Sequence, residues 1–497
     1  MQHDQSPPQS MLPDPDDLAM LDNAHPPGWD NPEPAGQYDL AILGAGPAGL
    51  VAARTAAALG AKVALIERHF IGGEVLKGCV PSKTIIRTSR LYSEMRDASD
   101  FGARQPSDVL VDFPQVMQRL RRTRARLSRA DSADRLREAG IDVFFGEGRF
   151  AGLDAIDLDR TTLRFKKALV ATGARPASAS IPGLPKTGYL TNENVFDLIK
   201  CPPRLLVIGG GPLGCELAQA FSRLGARVIL AQDEPMFLPG EERDAAQILS
   251  ETLARDGIEI HLNSSVVRVR GEGGEKRVDL VSDDSQTTVA VDTILAGIGR
   301  TPNVEGINLE GAGVRYGAAG VVVNDFLQTT NANIYAAGDV CLQRKFAHAA
   351  DATGRIVVEN ALRDGRKRLS GLTIPWCTYT DPEIAHVGLY VREARENGIP
   401  VKTFTILMHD VARAVADGEE VGFVKIHTRE GTDEILGATI VASHAGEMIN
   451  ELSLAITSGI GLSALAQVIH TYPTQTEAIR LAAAAFERTL MRRTIPV

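Results

Sequence analysis

Three short stretches of this chain hold residue types spaced for chemistry. Gly44-Ala45-Gly46-Pro47-Ala48-Gly49 forms a glycine turn between an apolar strand (39–43) and an alanine-rich helix. In such a turn the first glycine makes the bend, the second lets backbone amides approach a pyrophosphate, and the third lets helix pack on strand. Glu67 closes the next strand (62–66), where a carboxylate would accept a ribose hydroxyl. Gly209-Gly210-Gly211-Pro212-Leu213-Gly214 repeats the plan, flanked by a strand over 205–208, a helix over 215–224 and a strand over 227–231. A second dinucleotide is therefore expected. At its end-of-strand position an acid favours NAD and an arginine NADP. Gln232 stands there, with no Arg or Lys close by, so the reading leans to NADH.

The third stretch runs from Gly72 through Cys79 to Lys83. Pro81 suits the first turn of a helix, because it lacks the donor that would be unpaired there. Cys79 is accordingly expected at or just before a helix N-terminus. There the dipole and a nearby ammonium lower a thiol from about 8.5 toward roughly 3.5–7.5. Cys201, Cys215, Cys341 and Cys377 have no partner at useful spacing and read as inert thiols.

The elements that must position these groups follow from the rest of the chain. Its 497 residues suffice for about three domains. A net charge of -9 gives no electrostatic case for nucleic acid or an anionic membrane as main partner. No apolar run reaches membrane-spanning length, no signal peptide is recognisable, and scattered cysteines without a CxxC pair suit a reducing, cytoplasmic setting. Residues 1–37, rich in Pro, Asp, Gln and Asn, are expected to be an extended, mobile or surface-draped segment. The arginines Arg119, Arg121, Arg122, Arg124, Arg126 and Arg129 are expected on a solvated helical face. The block over 333–340 reads as a strand emerging into a ligand loop. From about residue 372 alternating runs followed by helices indicate an α+β module.

Taken together these blocks resemble the class I pyridine nucleotide-disulfide oxidoreductases, the family of dihydrolipoamide dehydrogenase, glutathione reductase and mercuric reductase. Besides the two glycine turns, the resemblance rests on Gly78-Cys79-Val80-Pro81-Ser82-Lys83, Ala171-Thr172-Gly173, Gly299-Arg300-Thr301-Pro302-Asn303, Ala337-Gly338-Asp339-Val340, Thr380-Asp381-Pro382-Glu383 and Tyr472-Pro473-Thr474 with Glu477. It covers essentially everything from residue 38 onward, and the mercuric-reductase-like branch is nearest. It implies an α/β fold with two Rossmann-like dinucleotide-binding domains, for FAD (38–187 and 302–371) and NAD(P) (188–301). A C-terminal α+β dimerisation domain (372–497) completes it. FAD and NAD(P)H are the implied cofactors, with Asp339 on the ribityl chain. Gly73, Lys83, Ala171, Thr172, Gly173, Gly299, Arg300, Gly338, Ala347 and His348 join the glycine turns as cofactor contacts. Lys83 is implied to pair with Glu216 near the flavin, Cys79 to touch it, and the C-terminal module to complete the active site of a homodimer partner.

Three departures shape the functional expectation. Counting back five from Cys79, where the family's second cysteine is expected, gives Glu74; counting forward from Gly72-Gly73 gives Val75. Tyr472 replaces the family's catalytic histidine, and tyrosine, with a pKa near 10, is not the same general base at neutral pH. The metal-delivering cysteine pair of mercuric reductase has no counterpart in the sequence. The favoured expectation is an FAD-dependent NAD(P)H oxidoreductase with a single active-site cysteine, acting on a small non-disulfide electron acceptor, with Glu74, Tyr472 and Glu477 as further site residues. Alternatives are reduction of mercuric ion or a small disulfide by Cys79 alone, and a redox-sensing flavoprotein with vestigial turnover. No resident metal is expected.

Overall fold

Near-continuous runs of Val, Ile, Leu and Ala make strands that are buried on both faces, the pattern of a parallel sheet covered by helices. The computed structural model describes residues 14–104, 110–159, 161–178, 180–283 and 285–494, and it places these runs accordingly. Strand β1 (Gln37–Leu43) lies between β2 (Val63–Glu67) and the strand Thr161–Val170, parallel to both. Beyond β2 comes β3 (Ile141–Phe145), also parallel, and Ile334–Ala336 pairs in parallel with the other side of Thr161–Val170. Two antiparallel strands, Ala155–Leu158 and Gly148–Phe150, extend the same sheet. Its core includes Tyr38, Phe144, Phe150 and Phe165.

The described residues divide into two compact units, one within 14–84, 114–175 and 300–370, the other within 85–113, 176–299 and 371–494. The first holds the sheet just described. The second holds a parallel sheet in the order Glu259–His261, Arg227–Ala231, Arg204–Ile208, Thr293–Ala296. It also holds an antiparallel sheet of five strands, Trp376–Thr378, Glu383–Gly388, Ile435–Ala442, Phe423–Arg429 and Val401–Leu407. This grouping differs from the division at 187/188, 301/302 and 371/372 expected from sequence. Residues 85–113 join the second unit because Arg90 pairs with Asp381 at 2.8 Å and Arg96 donates to the Arg223 carbonyl at 2.6 Å.

Two expectations are corrected in the first unit. Residues 1–13 of the supposed extension lie outside the described residues; of the rest, residues 25–36 drape without regular structure as expected, but the part before them is helical. Helix α1 (Pro15–Ala24) starts there, its N-terminal amide at Asp16 bonded by the Asp14 carboxylate at 2.9 Å. Arg119, Arg122, Arg126 and Arg129 are exposed as expected, but the acidic face of α1 meets the other two arginines of the helix Phe113–Ser128. Asp17 pairs with Arg124 at 2.7 Å and Arg121 at 3.2 Å, and both arginines are buried. Each segment read alone is too polar to dock; together they neutralise one another.

Candidate functional site

The first glycine turn is built as its spacing demands. Gly44 has φ +104°, and a Cβ there would sit 2.4 Å from the Ala171 carbonyl oxygen. A Cβ on Gly49 would come 1.9 Å from the Gly44 carbonyl oxygen, so helix α2 (Pro47–Ala58) reaches the strand only without a side chain. Over Gly46, the N-cap of α2, there is open space instead. Helix-terminal N–H groups with room above them suit a pyrophosphate. Glu67 is held by two backbone donors, Ala45 N–H at 2.8 Å and His69 N–H at 2.9 Å. A carboxylate has about four acceptor sites, so capacity remains for a ribose hydroxyl.

Neighbouring motifs are sewn to this turn. Ala171 donates to the Leu43 carbonyl at 2.8 Å, Thr172 Oγ1 to the Asn303 carbonyl at 2.7 Å, and Asn303 Nδ2 returns to the Thr172 carbonyl at 2.9 Å. Asn303 N–H also reaches the Gly173 carbonyl at 2.9 Å. Gly338 N–H donates to Thr353 Oγ1 at 3.2 Å, which sets the short turn carrying Asp339 against the helix Ala347–Leu362. Ala347 and His348 open that helix, with the His348 ring stacked on Phe346 at 5.4 Å. Asn303 and Thr353 were not singled out as site residues; Asn303 had a signal in its motif, Thr353 had none.

Arg300 joins the redox segment to the cofactor turn. One of its terminal nitrogens lies 2.9 Å from Asp339 Oδ2, the other 2.9 Å from Glu74 Oε2. Burial raises Asp339 above the usual carboxylate range, against the pull of Arg300 and Lys345. Arg300 Nε is buried without a hydrogen-bond partner. A buried guanidinium N–H with nothing to donate to fits a phosphate or hydroxyl-bearing ligand at this point. The open turn, the fixed Glu67, Asp339 and this donor together fit FAD.

The segment over 72–83 departs from expectation. Helical hydrogen bonding begins at Glu74, not after Cys79. Residues Val75–Cys79 form one π-turn, closed by Val80 N–H on the Val75 carbonyl, and run directly into helix α3 (Val80–Arg96). A proline inside a helix removes a donor and crowds the carbonyl four residues back. The wider turn ahead of Pro81 accommodates it, and π-turns of this kind recur at functional sites. Cys79 is thus half-buried within a continuous helix, and the terminus expected to favour its thiolate lies at Glu74 instead. Gly72 N–H donates to the Ala45 carbonyl at 2.9 Å, tying this segment to the cofactor turn, where Gly73 also approaches Gly46. Lys83 follows on α3. Burial pushes Cys201 up to about 11, and Cys215 and Cys341 to about 12, in keeping with inert thiols.

In the second unit, Gly209 and Gly214 make the same close approaches, 2.5 Å to the Gly297 carbonyl oxygen and 1.9 Å to that of Gly209 for an added Cβ. Gly211 faces open space. Gln232, buried, accepts Gly210 N–H at 2.6 Å through Oε1, the counterpart of Glu67 with Ala45. Gly299 accepts Ala177 N–H at 3.0 Å. Helix Pro212–Arg223 turns one face, Glu216, Gln219 and Arg223, onto the segment 379–381. Glu216 accepts Tyr379 N–H at 2.9 Å, Gln219 exchanges two 2.8 Å bonds with the Asp381 backbone, and Arg223 pairs with Asp381 at 2.7 Å. Tyr379 and Gln219 were not foreseen. Tyr472 is 69% exposed, while Glu477 accepts from Arg480 at 2.7 Å.

Among the described residues no cluster of His, Cys, Asp or Glu could hold a metal ion, and no helix is long and apolar enough to cross a membrane. The family model for pyridine nucleotide-disulphide oxidoreductase matches residues 38–354, and that family's dimerisation domain matches residues 374–483. A mercuric reductase of Lysinibacillus sphaericus is 34% identical over 92% of this chain and 84% of its own length. A dihydrolipoyl dehydrogenase of Bacillus subtilis is 33% identical over 91% of this chain and 98% of its own. Among solved structures, LpdA of Mycobacterium tuberculosis has a TM-score of 0.82 at 31% identity, over 90% of this chain and 99% of that one. The HOCl-induced flavoprotein disulfide reductase RclA of Escherichia coli, solved also as a Cu(II) complex, has a TM-score of 0.80 at 27% identity, over 90% and 99%. The chain belongs to the pyridine nucleotide-disulphide oxidoreductase family and is an oxidoreductase of its FAD- and NAD(P)H-dependent kind.

Proposed function

We propose that this enzyme passes electrons from NAD(P)H through FAD to a small acceptor that is not a disulfide, with Cys79 the one sulfur of the redox segment. The observation that carries this reading is the 2.9 Å ion pair between Glu74 and Arg300. The position five residues before Cys79 is filled by a restrained carboxylate, so no sulfur–sulfur bond can store electrons across it. When bound, the two cofactors supply hydride donation, hydride acceptance and two-electron storage. The chain's own part is to hold phosphates at the two glycine turns, to anchor the ribityl side through Asp339 and Arg300, and to keep Glu216 fixed by the Tyr379 amide.

NADH is the favoured donor. Gln232 spends its oxygen on Gly210 N–H, and Asp233 and Glu234 follow it, a poor setting for a 2′-phosphate. A homodimer is supported by the matched dimerisation domain and by exposed apolar side chains there, Leu454, Val468, Ile469 and Tyr472.

Anaerobic titration with NADH tests the reading. About one equivalent should reduce the bound flavin fully, since FAD alone stores two electrons; a need for two equivalents would reveal a second redox couple and sink it. A metal-ion acceptor is the second reading, favoured by relatives named mercuric reductase and by the Cu(II) complex of RclA. Cys79→Ser separates the two: metal-dependent NADH oxidation disappears under the second, whereas quinone turnover persists under the first.

A further inference from the structure

Helix α1 lies directly on the segment that carries Cys79. Met20 packs with Leu76, Phe70, Ala19 and Ala125. The Ala24 carbonyl accepts Ile71 N–H at 2.9 Å, and the His25 ring bonds to the His69 carbonyl. Residues 69, 71 and 76, which span the entry to the π-turn, are thus each held by a residue before β1.

The helix is in turn held by charge. Beyond the Asp17 pairs with Arg121 and Arg124, Asp16 accepts from Gln118 at 2.7 Å and Asn23 donates to Ser128 at 3.0 Å. Arg121 and Arg124 are 8% and 7% exposed, so salt screens these pairs weakly. Downstream, Asn31 makes two 2.8 Å bonds with the Phe145 backbone at the end of β3, and Trp29 Nε1 donates to the Val143 carbonyl at 3.1 Å. The segment is fastened at both ends.

What it fastens lacks a cross-link of its own. Between Gly72 and Cys79 there is a single sulfur, and the two leading glycines lose more chain entropy on ordering than any other residue. We propose that residues 14–31 are an internal strap that positions Cys79 by fixing the turn over 71–76, supplying in a one-sulfur site the restraint a second sulfur would give. This goes beyond the acceptor reading and does not depend on it.

The test uses full-length, FAD-loaded protein and two variants, Asp14→Asn/Asp17→Asn and Met20→Ala. Amide exchange across 71–79, exchange across β1 and β2, and iodoacetamide alkylation of Cys79 are followed in each. Both variants should speed exchange over 71–79 and alkylation by about tenfold while β1 and β2 stay unchanged, as a local opening requires. Unchanged exchange over 71–79 overturns the proposal, whether α1 stays docked or comes away. A speed-up shared equally by β1 and β2 overturns it too, because α1 would then be general packing. If the charge variant fails to fold, the Met20→Ala result decides alone.

Discussion

Arg300 divides one guanidinium between Glu74 and Asp339, and that division sets the electrostatics at the cofactor turn. A lysine is a point charge without the planar fork, so it cannot bridge two carboxylates while leaving a third donor directed at a ligand. Arg300→Lys should weaken FAD retention by about ten- to a hundredfold, measured as free flavin released on dilution and gel filtration. A second prediction concerns Glu383, which burial pushes up to about 7 despite the Gly446 amide at 2.8 Å. Its raised value means the fold favours the neutral acid. That contribution is fully present below about pH 4.5 and is lost as pH rises through about 7. Glu383→Gln removes the titration, so the variant should gain on wild type by about 2 kcal/mol between pH 5 and pH 8. Thermal melts at the two pH values check it.

Elements differ in how plainly the amino-acid pattern announces them. Both βαβ units are legible because a glycine turn encodes its geometry in spacing: Gly44 and Gly49, Gly209 and Gly214 are required by atoms that approach within 2.5 Å of where a side chain would begin. The π-turn before Pro81 was not legible, since proline at the first position of a helix and proline after a widened turn present the same residues. Nor was the docking of α1, whose charged partners lie about a hundred positions away and whose apolar contact is confined to a small cluster around Met20. Gly78 shows the cost of reading propensity alone. Glycine to alanine in a helix interior ordinarily stabilises by about 1 kcal/mol. A Cβ at Gly78 would instead lie 1.9 Å from Glu74 Oε1. Gly78→Ala should therefore push the carboxylate off Arg300 and alter flavin release on dilution by about severalfold, to the same extent as Glu74→Gln, with far-ultraviolet circular dichroism unchanged.

At the scale of the whole molecule, the exposed side chains of the matched dimerisation domain matter most. Ile469 is 97% exposed, Tyr472 69% and Leu454 63%. Large apolar side chains left exposed on a matched dimerisation domain are candidates for an association surface. Ile469→Asp with Leu454→Asp should shift sedimentation from dimer to monomer, and turnover should fall with the dimer fraction if Tyr472 serves the neighbouring subunit. The ion pair at Glu74 also decides what a single substitution there would do. A cysteine at that position would be too short to reach Arg300, so Glu74→Cys would leave the whole guanidinium to Asp339. The acid and Asp339 thus compete for one cation, and removing either hands the other an undivided positive charge rather than simply subtracting a contact.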